Sequence, residues 1–209
     1  MKFILASASP RRRELLASIG LDFDVLPSHV PEVRADGEAP EEYVARLSRD
    51  KAAALAQEHP SRWVIAADTT VLLGEQLLEK PVDEADARRM LKTIAGQTHI
   101  VYTGVTLVNL ERKHHETRVA ESEVRMLPLS DDEIAWYVST GEPMDKAGAY
   151  AVQGIGAMFI ESIHGSYTNV VGLPLATLFQ MLRRAGIDPL SNRPGDPSGN
   201  PLYNARPEL

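Results

Sequence analysis

Short apolar runs alternate with amphipathic stretches along most of the chain. Phe3–Ala6 is a compact apolar run and predicts a buried strand. Ser7-Ala8-Ser9 reads as a turn, with Ser9 as N-cap and Pro10 at the first helical position. Leu15, Leu16 and Ile19 supply the inward face of that helix, and Gly20 ends it. A second helix is predicted from about Pro40 to Glu58. Trp63–Leu73 is a long β-rich run, followed by a turn at Gly74-Glu75-Gln76 into Leu77-Leu78. Ala87, Met90, Leu91 and Ile94 recur at helical spacing, which predicts a helix from about Asp83 to Ala95, stopped by Gly96. Thr98–Leu110 and Thr117–Met126 read as two long strands joined around Glu111–His115, with His114-His115 at an exposed hairpin tip.

Ser130-Asp131-Asp132-Glu133 has the form of a capping box, and Ile134, Tyr137 and Val138 follow at helical spacing. Met158–Ile163 predicts a strand. Pro174–Ala185 predicts a last helix with Leu175, Leu178, Phe179 and Leu182 inward. Strands alternate with helices, yet a hairpin interrupts the alternation. The prediction is therefore an α/β fold with a mixed sheet and flanking helices. The stretch SNRPGDPSGNPLYNARPEL has no apolar period and is rich in Pro, Gly, Asn and Ser. Residues 1–190 are expected to form one domain and residues 191–209 a loose tail.

Composition narrows the function classes. The chain has 209 residues, 44% hydrophobic and 24% charged, ordinary values for a globular protein. Its net charge of -7 argues against a protein that coats nucleic acid, which needs a basic face. There is no cysteine, so disulfides, zinc–thiolate sites and thiol nucleophiles are excluded together. No segment reaches the roughly 18 apolar residues of a membrane span. The apolar run at the N-terminus is shorter than the ~7–15 residues of a signal-peptide core, and three arginines follow it at once. The segment reads as mature structure, and the protein as cytoplasmic.

Four places break the apolar pattern. Ser7-Ala8-Ser9-Pro10-Arg11-Arg12-Arg13 lies between a strand and a helix N-terminus. Free N–H groups and the helix dipole favour an anion there, whereas arginines oppose the dipole unless an anion binds. The reading is a phosphate cradle, set against a solvated basic turn. It is not a P-loop, because G-x-x-x-x-G-K-[ST] is absent. Lys51 falls in the middle of the apolar stripe of Tyr43, Val44, Leu47, Ala54 and Leu55. It either snorkels at the edge of the core or points into a cleft at a phosphate.

Asp68 interrupts the run Trp63–Leu73, and a carboxylate there is costly to bury unpaired. It reads as a structural loop holder, a metal ligand or a general base. Glu79-Lys80-Pro81 follows and offers a second acid and base to the same cleft; Glu32 sits in a Pro-flanked loop as a weaker candidate. The fourth place is Asp145–Gly156, rich in Gly and Ala with polar groups set singly. Backbone can approach a ligand there, and Gln153 offers a donor and an acceptor to a base edge. A second polar loop, His164–Asn169, reads as a turn and cap. The six histidines form no metal motif, and His99 reads as structural. A hard ion such as Mg²⁺ or Mn²⁺, held by carboxylate and phosphate oxygens, is the natural cofactor.

The stretches LASASPRRRELL, EEYVARLSRDKA, AADTTVLL with LEKP, MLKTIAGQTHIVYTGVTLV and DKAGAYAVQGIGAMFIESIHGSYTNVVGLPL together resemble the Maf family of nucleotide pyrophosphatases. Five ordered motifs are far more specific than any one of them. The resemblance implies a two-lobed α/β fold around a cleft, similar to the inosine triphosphate pyrophosphatases. It also implies hydrolysis of a nucleoside triphosphate to the monophosphate and pyrophosphate with a divalent cation, in a homodimer. It gives Asp68 the part of proton acceptor and sets Ser7, Arg11, Arg12, Lys51 and Lys80 on phosphates. It makes Glu32, with Asp68, a metal-site acid, and it links Arg11, Thr69 and Gln153 to base preference. Their identities look like the branch acting on dTTP and UTP rather than the sister branch acting on 7-methyl-GTP. A nucleotide-binding regulator of division that lacks hydrolysis is the alternative from another class.

Overall fold

A computed structural model describes residues 2–188; the tail expected at 191–209 lies outside the described residues. Seven strands form one mixed sheet. They are β1 (Phe3–Leu5), β2 (Phe23–Val25), β3 (Val64–Leu73), β4 (Gln76–Leu78), β5 (Thr98–Asn109), β6 (His114–Met126) and β7 (Ile160–Gly165). The order is β2-β1-β3-β5-β6-β7, with β4 hairpinned onto β3. β1 runs parallel to β2 and β3, and all other pairs are antiparallel. Six helices flank the sheet: α1 (Pro10–Ser18), α2 (Pro40–Glu58), α3 (Glu84–Ile94), α4 (Asp131–Ser139), α5 (Tyr167–Val171) and α6 (Leu175–Arg184). None is long and apolar enough to cross a membrane among the described residues.

The apolar positions sort into cores on either side of the cleft. Phe3, Leu5, Ile65 and Ala67 meet Leu16 of α1 and Leu178, Met181 and Leu182 of α6 on one face of the sheet. Ile4, Val64 and Ala66 meet Ala52, Leu55 and Ala56 of α2 on the other. Farther along β3, Val71 joins Val101 of β5, Val124 of β6, α3, α4 and Phe159 in a separate core. β3 and β5 run through both lobes, so a side chain midway along β3 stands where the two lobes meet.

Several expectations need correction. The hairpin turn occupies residues 110–113, with Lys113 at φ 52, so His114 and His115 open β6 beside the tip; His115 is exposed as expected, whereas His114 is half-buried. His114 sets its ring edge-on to Trp63 at 5.1 Å, an aromatic contact that the polar look of the segment concealed. The strand expected from Met158 starts at Ile160, because Gly154–Phe159 coils into a 3₁₀ segment first. Phe179 is exposed, not inward: Met181 and Leu182 fill that face, and Arg183 lies 5.8 Å above the Phe179 ring. The capping box on α4 forms as read, with Ser130 and Glu133 each bonding the other's backbone.

Candidate active-site cleft

Strand alternation decides which way β3 points its polar residues. Asp68 faces α2 and Thr69, one residue on, faces α1. On α2, Tyr43, Leu47 and Lys51 are spaced four apart and share a face. That helix approaches the sheet closely because Gly104, the β5 partner of Asp68, lacks a side chain. A Cβ on Gly104 would stand 2.2 Å from the carbonyl oxygen of Val44. At this spacing Lys51 Nζ reaches Asp68 Oδ1 at 2.6 Å and Glu32 Oε1 at 2.5 Å. Lys51 is 6% and Asp68 7% exposed, so the pair is buried and each member needs the other.

Glu32 arrives from the loop before α2 and keeps 45% of its side chain in solvent. Partial burial alone would raise its carboxyl, but Lys51, with Lys80 and Arg12 behind it, holds it below the ordinary carboxylate range. Lys80 stands farther out, 3.9 Å from Glu32 Oε2. Glu79 accepts a hydrogen bond from the Tyr43 hydroxyl at 2.6 Å. Burial and that carboxylate push the Tyr43 hydroxyl well above its usual range, so it stays protonated.

The β1–α1 turn forms the next wall. Ser9 occupies the N-cap but makes no side-chain cap, and the first turn holds no acid. The Ser7 hydroxyl accepts from Ser9 N–H and from Arg12 Nη1, each at 3.2 Å. Arg12 also donates to Gly172 O at 2.8 Å and to Thr69 Oγ1 at 3.0 Å. All three of its nitrogens are therefore engaged by protein, and burial draws its pKa down. Arg12 braces the wall, whereas Arg11 reaches across the cleft to Asp145 Oδ2 at 2.9 Å. Burial alone would raise Asp145, yet Lys146 and Arg11 bring it below the ordinary range.

The far wall is irregular. Three 3₁₀ segments, Glu142–Asp145, Ala147–Ala149 and Gly154–Phe159, carry Gln153 on extended backbone between the second and third. Behind it, Tyr150 is held by His99, with Nε2 and the hydroxyl oxygen 2.8 Å apart. The cleft enclosed by these walls has a volume of about 480 Å³. Ser7, Arg11, Arg12, Glu32 and Lys51 line it, and so do Asp68, Thr69, Lys80 and Gln153. All nine residues singled out in the sequence thus meet in one place.

The structure also adds residues that the sequence reading passed over. Tyr43 was placed among the apolar face of α2, although its spacing from Lys51 would have found it. Gly104 and Glu142 carry no local signal, and Asp145, Lys146 and Tyr150 stand out in the sequence only as part of a Gly-rich segment. Within the cleft, five cationic side chains face four carboxylates.

A hard cation fits this donor set. Asp68 and Glu32 each have one oxygen not taken by Lys51. Among the described residues no three His, Asp or Glu cluster as a cage. Two carboxylates plus phosphate oxygens from a ligand are the usual surroundings of Mg²⁺ or Mn²⁺.

Comparison with known proteins agrees in sequence. Residues 2–185 match the family described as Maf-like protein. The dTTP/UTP pyrophosphatase of Koribacter versatilis is 52% identical over 189 residues, covering 90% of this chain and 96% of that protein. The dTTP/UTP pyrophosphatase of Geobacter sulfurreducens is 51% identical over 185 residues, covering 88% and 97%. Among solved structures, the Staphylococcus aureus Ham1 protein aligns at 17% identity and a TM-score of 0.39, over 63% of this chain and 73% of that one. A likeness that slight adds nothing to the fold described above.

Proposed function

The chain belongs to the Maf-like protein family, and from that membership we propose that it hydrolyses dTTP and UTP to the nucleoside monophosphate and pyrophosphate. The observation that carries the reading is the buried Lys51 ammonium shared between Asp68 and Glu32, at the floor of a cleft sized for a nucleotide. The reaction needs water to attack the α-phosphorus, breaking its bond to the bridging oxygen of the departing pyrophosphate. Asp68 takes the proton from that water through the carboxylate oxygen that Lys51 leaves open. Lys51 fixes the orientation of Asp68, so no reorganisation is needed as charge develops. Ser7, Arg11 and Lys80 meet the phosphate oxygens, and Arg12 keeps Ser7 and Thr69 in place.

The charge balance of the cleft, five cations against four carboxylates, falls short of a triphosphate. Glu32 would hold a Mg²⁺ or Mn²⁺ ion together with phosphate oxygens, with Asp68, whose open oxygen is given to the water, standing beside it; when bound, the ion neutralises phosphate charge. Thr69, Arg11 and Gln153 are assigned to base preference. The single-domain reading of residues 1–190 is supported by β3 and β5, which run through both lobes. A cytoplasmic location and a homodimer complete the proposal.

The test is pyrophosphate release from dTTP, UTP, CTP, 7-methyl-GTP, ITP and the common purine triphosphates with Mg²⁺ or Mn²⁺. Preferential cleavage of dTTP and UTP is expected. Preference for 7-methyl-GTP or ITP would overturn the specificity while keeping the chemistry. Nucleotide binding without any cleavage would make the protein a regulator instead.

A further inference from the structure

Gln153 makes no side-chain hydrogen bond among the described residues, so its aim depends on the backbone that carries it. That backbone is satisfied by side chains. Glu142 Oε1 accepts from Gly156 N–H at 2.8 Å, and Oε2 accepts from Ile155 N–H at 3.0 Å. The Tyr137 hydroxyl donates to Glu142 Oε1 at 2.8 Å and accepts from Ala151 N–H at 3.1 Å. One carboxylate and one phenol therefore grip the loop on both sides of Gln153. Two glycines make room for them: a Cβ on Gly154 would stand 2.4 Å from Glu142 Oε2, and one on Gly156 2.5 Å from the Tyr137 oxygen. Lys146 anchors the other end of Glu142 by donating to its carbonyl at 2.6 Å.

We propose that Glu142 is a positioning residue for base selection, its carboxylate setting the Gln153 loop at the nucleotide base without touching the nucleotide. The proposal rests on the assignment of Gln153 to the base given above. Both carboxylate oxygens act as acceptors, so the charge-neutral amide is not equivalent. In Glu142→Gln the NH₂ group must face either the Ile155 N–H or the Gly156 N–H with Tyr137, a donor against a donor. The fold of the catalytic wall has no share in these bonds.

The test compares kcat and KM for UTP and CTP in the wild type, E142Q, Q153A and the double variant. In E142Q the UTP-over-CTP ratio of kcat/KM should fall about tenfold, the worth of one misplaced hydrogen bond, mainly through KM. In the Q153A background E142Q should change that ratio less than about twofold, because both changes act through the same side chain. A wild-type preference that survives E142Q, or losses that multiply independently in the double variant, overturns the proposal alone. A wild type without a UTP preference overturns the assignment of Gln153 and the proposal with it. Should E142Q fail to fold, Tyr137→Phe removes two of the gripping bonds, the one donated to Glu142 and the one accepted from Ala151 N–H. It should lower the same ratio about threefold, again without additivity to Q153A; an unchanged ratio overturns the proposal.

Discussion

The two walls of the cleft are built by different means. Asp68, Lys51 and Ser7 stand on or beside β3, α2 and β1, where ladder and helix hydrogen bonds fix the backbone before any side chain acts. Asp145 stands on a 3₁₀ turn and Gln153 on the extended stretch between two such turns, where Glu142 and Tyr137 do the work of a ladder. The difference separates two requirements of the proposed reaction. Water activation needs atoms held to fractions of an ångström, and regular elements supply that. Base choice needs a surface that can be remodelled by one or two substitutions, and a loop gripped by side chains supplies that.

The largest expected effect lies on the regular wall. Asp68→Asn keeps an oxygen for Lys51 and so keeps the floor assembled, but it cannot take a proton. Steady-state pyrophosphate release should show kcat lower by about 10²–10⁴, with KM within a few-fold of wild type. A kcat close to wild type would remove the water-activating role from Asp68. The same wall should be intolerant of bulk. Gly104→Ala drives a methyl into the Val44 carbonyl, a backbone group that cannot rotate away. The cost should reach about 3 kcal/mol or more in chemical denaturation, at the top of the usual overpacking range. Activity should fall with it, since α2 carries Lys51. A variant as stable and active as wild type would mean that α2 can shift without disturbing the floor.

Legibility in the sequence follows the same division. The stripe on α2 and the Pro at its start gave its limits, Pro40 and Glu58, as they stand. Lys51 and Asp68 were legible because each is a charge at an apolar position, and a charge there must have a partner. Glu142 and Gly156 are 14 residues apart, and Arg11 and Asp145 are 134 apart. Polar pairings at such separations leave no local period, and three-residue turns are too short to show one. β2 and α5 escaped for the same reason, with three and five residues respectively. The branch of the family was legible in identities, not in physics: nothing in Gln153 by itself distinguishes one base edge from another.

His99 joins the two walls, and acid should test the joint. It lies on β5 and holds Tyr150 of the irregular wall; burial pushes its pKa down to about 4, against 6.5 for an ordinary histidine. Between those values the unfolded chain carries a proton that the folded protein refuses. Stability should therefore decline as pH falls from about 6.5 to about 4, by about 3 kcal/mol at one pKa unit per ~1.4 kcal/mol, and no further from this group below that. Carboxylates add their own losses at the acid end. The readout is thus the difference between wild type and His99→Gln in urea midpoints across the window. Parallel curves for the two proteins would show that the ring is protonated as readily in the fold as outside it.

The smallest effect is expected at Gln153, and its direction matters more than its size. Truncation to alanine leaves Glu142, Tyr137 and the glycines of the loop untouched, because the Gln153 side chain bonds none of them. Stability should be unchanged within about 0.5 kcal/mol, as for a surface substitution. On the base side, losing one or two hydrogen bonds to a pyrimidine edge is worth about 1–2 kcal/mol, which should narrow the UTP-over-CTP ratio roughly tenfold. Turnover of bound UTP should stay within a few-fold, since the proposed water attack is assigned to Asp68 on the other wall. If Gln153→Ala instead lowered kcat as strongly as Asp68→Asn, the two walls would not be separable. The loop would then be setting the position of the α-phosphorus through the nucleotide as well as choosing its base.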